Sequence, residues 1–315
     1  MTLAVLANTF DSCVIGVHLR KDRVDAAVAL GRSLGRRHRH ELTTELVPDG
    51  VVEALVAAVR ALAPKPAAVG LAIPGEMDGS GRCWGLPDFR GFDGVYLGEE
   101  LAARLECPVF VESEGNAAAV GEQRYGHGRG YPSTLTVLID ERLSAGVVVR
   151  GEPHRGNSGF AAQIAHLRLE SGDAARPCEC GRRGCLNAHA SLGALAGDYA
   201  KRSAQHALAS EIVDRAVAGD QHALAALQAL AESLGGGLAL AQNLLDFDAI
   251  VLLCASRELC RQIEPGVRKT LRDLVYGPTA CEVPLFEGSL GGDAVLVGAA
   301  ALAQEATASA AAQNA

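Results

Sequence analysis

The sequence predicts an α/β fold with mixed sheets, arranged as two domains. Three observations carry this. The chain has 315 residues, more than one ordinary hydrophobic core needs. Short β-branched runs alternate with helix-length amphipathic segments, the order that builds sheets with parallel strands. The alternation then starts afresh with a new strand pair near residue 134. Apolar residues make up 49% and charged residues 21%, which suits a globular protein; with aromatics at 4%, Ala, Val and Leu must fill its cores.

In chain order, Met1–Phe10 is apolar but short, without a basic flank or cleavage site, and reads as the lead-in to a first strand rather than a signal peptide. Cys13–Leu19 and Arg23–Leu30 read as a strand pair around the charged turn Arg20-Lys21-Asp22. The basic cluster Arg32, Arg36, Arg37 and Arg39 reads as a solvated hairpin or loop, and Arg39–Leu46 as a third strand. Asp49 is expected to cap a helix whose apolar face is Val51, Leu55, Ala58, Val59 and Leu62, ended by Pro64. Ala68–Ile73 is a buried strand stopped by Pro74-Gly75. A helix over Gly98–Leu105 leads into the strand Pro108–Glu112, and another helix runs from about Gly115 to Gly121.

Thr134–Ile139 and Ala145–Val149 form a hairpin around Asp140–Ser144. Past the irregular stretch Gly151–Ala190 come helices over Leu192–Ala207, Ser210–Ala218 and Gln221–Leu245. Glycines cost roughly 1 kcal/mol each in a helix interior, so Gly235-Gly236-Gly237 predicts close packing or a break. Ala249–Cys254 is a strand, Arg257–Val275 mostly helix, Gly291–Gln304 a last helix, and 306–315 a frayed tail.

A net charge of −8 without a basic face argues against direct nucleic acid binding by this chain. No apolar run reaches the roughly 18 residues of a membrane span. Of the nine cysteines, Cys13, Cys83, Cys107, Cys254, Cys260 and Cys281 are scattered, and read as small buried hydrophobes in a reducing, cytoplasmic setting.

The other three cysteines cluster in Cys178-Glu-Cys180-Gly-Arg-Arg-Gly-Cys185-Leu-Asn187. Structural zinc takes a tetrahedron of thiolates and imidazoles. Gly181 and Gly184 supply backbone angles that let a tight knuckle aim three sulfurs at one point. His166 is the nearest candidate for the fourth ligand, with His154 and His189 as rivals. Four protein ligands leave no open position, so the zinc is expected to be structural.

These residues resemble the ROK family (repressors, open reading frames and sugar kinases). The family's Cys-x-Cys-Gly-x-x-Gly-Cys-x-Glu, with a His from an upstream Glu-x-Gly-His, is matched by Cys178, Cys180, Gly181, Gly184 and Cys185 and by Gln163-Ile-Ala165-His166. Ala72-Ile-Pro74-Gly75, Pro87-Asp-Phe-Arg-Gly91-Phe, Asn116-Ala-Ala-Ala-Val-Gly121-Glu122 and Gly298-Ala-Ala-Ala-Leu support it. The resemblance implies a two-domain, actin-like (ribonuclease H-like) ATPase fold with an interdomain cleft, and a homodimer or homotetramer. It divides the chain into 1–118, joined by the closing helix at about 292–305, and 119–291, with the zinc knuckle at 163–190. It also implies that Asp88, Ser113, Glu114, Gln163, His166 and Asn187 face a sugar or sugar-like ligand.

A kinase of this family needs glycine-rich turns whose N–H groups approach phosphates. Where the family has Asp-x-Gly-Gly-Thr, this chain has His18-Leu-Arg20-Lys21-Asp22; its second phosphate loop is Asp140-Glu-Arg-Leu-Ser-Ala145-Gly146, and the adenine-side Gly-Gly is Cys254-Ala255-Ser256. These departures argue against ATP and Mg2+. Ser113-Glu114 replaces the family's Asn-Asp; the extra methylene moves the would-be base by about 1 Å, a misplacement that costs about 100-fold in rate. Glu114 as a first-turn carboxylate favoured by the helix dipole is the simpler reading. The resemblance thus implies a zinc-binding sugar sensor, like the ligand-binding part of the family's repressors, without kinase activity. The alternative is an ATP-dependent hexose or N-acetylhexosamine kinase, glucokinase-like, with Glu114 as general base.

Overall fold

The computed structural model describes residues 13–31, 33–42, 46–278 and 280–313. The lead-in 1–12 and Arg32 lie outside the described residues. In the first sheet β1 (Val14–Leu19), β2 (Arg23–Leu30) and β3 (Ser33–Glu41) run antiparallel. Helix α1 (Pro48–Arg60) then carries the chain back to β4 (Ala68–Ile73), parallel to β1. A small hairpin, β5 (Glu76–Met77) and β6 (Cys83–Trp84), precedes α2 (Leu97–Leu105) and β7 (Val109–Ser113). The strand order is β3-β2-β1-β4-β7. Two expectations are corrected here. The third strand starts at Ser33, so the basic run is itself the sheet edge: Arg37 pairs with Asp293 and Arg39 with Asp25. Charge on an edge strand blocks pairing with other chains. Pro48, not Asp49, opens α1, where its missing N–H costs nothing and its fixed φ suits the first turn.

Helix α3 (Glu114–Tyr125) leads to the second sheet, where β8 (Thr134–Ile139) and β9 (Leu143–Val149) pair antiparallel. With β10 (Glu152–Pro153), β11 (Ala249–Cys254) and β12 (Leu285–Glu287) the order is β10-β9-β8-β11-β12. Helices α4 (Asn187–Ala190), α5 (Leu192–Ser203), α6 (Ala209–Val217), α7 (Gln221–Leu245) and α8 (Arg257–Leu274) cover it. The glycines of α7 serve packing, because the helix is unbroken. A Cβ at Gly235 would sit 2.6 Å from that of Thr270 on α8, and one at Gly237 would collide with Leu186. By length and composition α7 could cross a membrane, but Leu227, Leu230, Leu234 and Leu238 on it are buried in the core under the sheet. Cys254 and Cys260 form a disulfide, correcting their reading as separate thiols.

The two halves meet where α3 crosses α9 (Ala294–Gln313). A Cβ at Gly298 would strike the Ala117 carbonyl, and one at Gly70 the Ala299 carbonyl. Only alanine and glycine allow so close an approach, which fills this joint with Ala72, Ala117, Ala118 and Ala299. Helix α9 continues to Gln313, so residues 306–313 extend it rather than forming a frayed tail.

Candidate functional site

A short 3-10 turn, Ile164–His166, and the knuckle that follows bring His166, Cys178, Cys180 and Cys185 together, with all four ligand atoms within 4.8 Å of one another. The Cys178 N–H donates to the Arg182 carbonyl at 2.8 Å, closing the turn, while Gly181 and Gly184 take φ of 81° and 75°. The donor set fits zinc. A tetrahedron with Zn–S near 2.3 Å has edges of about 3.8 Å, and Cys180 Sγ stands 3.7 Å from Cys185 Sγ, with Cys178 Sγ 4.0 Å from His166 Nδ1. Burial lowers the pKa of His166, keeping the imidazole in the neutral form that ligates. Burial, reinforced by the neighbouring thiols, pushes Cys185 up to about 12, so a cation would be needed to ionise it. The rivals lie elsewhere: His154 is exposed, and His189 Nε2 is 3.4 Å from Glu170 Oε2.

Beside the knuckle, a cleft of ≈ 1140 Å³ separates the two sheets. Asp88, Glu114, Gln163, His166 and Asn187 all line it. Ser113 does not; it is buried beneath the wall and caps α3, accepting from the Asn116 N–H at 3.4 Å. Every one of the five lining groups already has a partner inside the protein or in the knuckle. Asp88 accepts twice from Arg142, at 2.6 and 3.1 Å. Asn187 accepts from the Leu143 N–H at 2.8 Å and donates to Glu179 at 3.3 Å. Glu114 Oε2 is 3.2 Å from His18 Nε2, Gln163 bonds Glu76, and His166 belongs to the cysteine cluster. Arg20, from the β1–β2 turn, reaches Asp140 of the β8–β9 turn at 3.0 Å.

Sequence reasoning missed three residues of this wall as site residues. Arg142 was visible only as part of a broken phosphate loop; its signal is a guanidinium set among acidic turns. Its hydrogen bonds hold the Asp88 carboxyl below the usual range, against the opposing effect of burial. Glu76, after Pro74-Gly75, is pushed up to about 7, first by burial and then by the charges of Glu112 and Glu114. Phe160 is 41% exposed on the wall, an apolar face of the kind that packs on the C–H side of a sugar ring.

The ROK family model matches residues 14–306. The chain belongs to the ROK family. Over 288 residues it is 29% identical to a glucokinase of Streptomyces coelicolor, covering 84% of this chain and 90% of that enzyme. It is also 25% identical to a xylose repressor of Bacillus subtilis, covering 83% of this chain and 68% of the repressor. Against the repressor of Bacillus spizizenii, 27% identical over 75% of this chain, the match takes in 61% of the relative's length. A ROK glucokinase from Streptomyces griseus, solved with glucose and AMPPNP, superposes with a TM-score of 0.82 at 26% identity, covering 93% of this chain and 99% of that one. A ROK transcriptional regulator, a homologue of the E. coli MLC protein, shares the fold at TM-score 0.83 and 21% identity, covering 95% and 80%. The two-domain, actin-like α/β fold is therefore that of ROK proteins, and kinases and regulators both stand among the relatives.

Proposed function

We propose that this ROK chain is a sugar-responsive, regulator-type protein that binds one structural zinc and does not transfer phosphate. The observation that carries it is the Arg20–Asp140 ion pair. It spans the two hairpin turns where a ROK kinase would need bare backbone N–H groups, and puts charged side chains between them instead. Three losses of glycine at phosphate- and adenine-facing positions point the same way. The paired state of Glu114 with His18 favours a structural carboxylate over a general base.

On this reading Asp88, Glu114, Gln163, His166 and Asn187 are the ligand-facing groups, and Ser113 supports them from below. His166, Cys178, Cys180 and Cys185 hold the zinc, which orders the wall carrying Asn187. The units divide at about residue 118, the closing helix returning to the first, and the protein works as a cytoplasmic homodimer or homotetramer. The glucokinase relatives keep a second reading open, with Glu114 as base.

A coupled ADP-release assay on zinc-loaded protein with glucose, N-acetylglucosamine and N-acetylmannosamine separates the two. No turnover above the enzyme-free rate is expected. Clear turnover that Glu114→Ala abolishes would establish the kinase instead.

A further inference from the structure

The Asp88 carboxylate faces the cleft, yet it is already taken. Arg142, at the tip of the β8–β9 hairpin, holds both its oxygens from the opposite wall. The same guanidinium has its Nε 2.7 Å from Glu179 Oε1 on the zinc knuckle, but off the hydrogen-bonding line, so this buried N–H has no aligned acceptor. Two residues earlier in the turn, Asp140 accepts from Arg20 at 3.0 Å. One three-residue turn of the second sheet therefore grips the first-sheet side at two points and touches the knuckle at a third.

Of these contacts, one is stronger than an ordinary surface pair. The Arg142–Asp88 pair is bidentate and charge-assisted, and its side chains keep only 31% and 17% of their exposure. It is also replaceable without stranding either charge. Glu141, exposed on the same cleft and without an ion pair among the described residues, stands next to Arg142 in the chain. Lys21, on the cleft's other lip, acts electrostatically on Asp88 and would remain when Arg142 leaves. A buried carboxylate left wholly unpaired would forbid such an exchange; these neighbours permit it.

We propose that Arg142 is an internal competitor for the ligand: it occupies the Asp88 carboxylate and, with the Arg20–Asp140 pair, latches the cleft shut until a ligand displaces it. Ligand selection is then set by what outcompetes a guanidinium at Asp88. The competition rests on the cleft being the ligand site proposed above; the latch does not.

Hydrogen–deuterium exchange on the zinc-loaded full chain tests the latch without any ligand. In Arg142→Gln, segments 84–93 and 138–145 should exchange roughly 10-fold faster or more, with a larger radius of gyration by solution scattering. Salt at about 1 M should move the wild type in the same direction, and move the variant less because only the Arg20–Asp140 pair is left to screen. Should Arg142→Gln fold poorly, Asp88→Asn removes the same pair from the other side and must loosen the same segments. Unchanged exchange in both variants overturns the latch. With glucose as the probe, Arg142→Gln should bind about 10-fold tighter than wild type. Weaker binding would make Arg142 a ligand contact and overturn the competition. Absence of glucose binding by both proteins removes the competition together with the proposed ligand site, while exchange still decides the latch.

Discussion

Chelation is expected to strip one zinc per chain and to unlock segment 163–190 while the first sheet stays folded. The segment has little regular structure of its own: a three-residue turn, two isolated bridges at Arg168–Cys185 and Pro177–Arg183, the knuckle, and the single turn of α4 at its end. Its order is expected to depend on a metal drawing the four clustered ligands to one point. Structural zinc in small peptides contributes about 10–16 kcal/mol of apparent binding energy, on the order of all the segment's own backbone bonds together at about 1 kcal/mol net each. The first half has its own core around Leu55, Leu71 and Leu101, whereas Ile164, Ala165, Leu186 and Ala190 of this segment share the second half's core with Leu135, Leu230 and Ile263. The effect should therefore spare the first half and reach the second only through this shared core. Cys185→Ser should reproduce it, because Cys185 is buried and its neighbour Leu186 is wedged against Gly237 of α7. Metal analysis should give a ratio near one for wild type and near zero for the variant. Amide protection across 163–190 should fall by about 100-fold or more. Equal protection with and without metal would show that the knuckle holds itself.

Glu76→Gln should stabilise the protein at pH 8 by about 2 kcal/mol and have no effect near pH 4.5. Burial first, then the charges of Glu112 and Glu114, raise the Glu76 pKa from its ordinary 4.5 to about 7, against a hydrogen bond from Gln163. Between these values the folded protein keeps a proton that the unfolded chain has lost. Stability therefore falls as pH rises through this window, and the penalty is complete above about 7. Below 4.5 both states are protonated and the penalty vanishes. The full shift corresponds to about 3 kcal/mol; the side chain keeps some solvent contact, which reduces it. Denaturant unfolding of wild type and variant at the two pH values checks this. A variant equally stable to wild type at pH 8 would mean that Glu76 ionises there without strain.

Much of this was legible in the sequence because it is local. The knuckle's ligands stand within eight residues, bar His166, and its glycines mark the turn. The strands Arg23–Leu30, Ala68–Ile73 and Thr134–Ile139 kept their expected bounds because continuous or alternating apolar runs leave little choice. The basic run is strand rather than loop because an edge strand accepts charge on its open side, so arginine there does not mark a loop. The partners across the cleft were out of reach. Arg142 and Asp88 are 54 residues apart, and Arg20 and Asp140 are 120 apart, so only the packed halves bring them together. The sequence could show that the phosphate loops are no longer glycine-rich, but not that their replacements bond to each other.

This cleft is proposed not to bind a nucleotide. Isothermal titration of zinc-loaded protein with ATP and Mg2+ tests it most directly. The Arg20–Asp140 pair sets charged side chains where a phosphate cradle needs free backbone N–H groups. No saturable heat is expected at millimolar ATP, with glucose present or absent. A saturable isotherm that Arg20→Ala or Asp140→Ala alters would contradict it, and would return the protein to the kinases of its family.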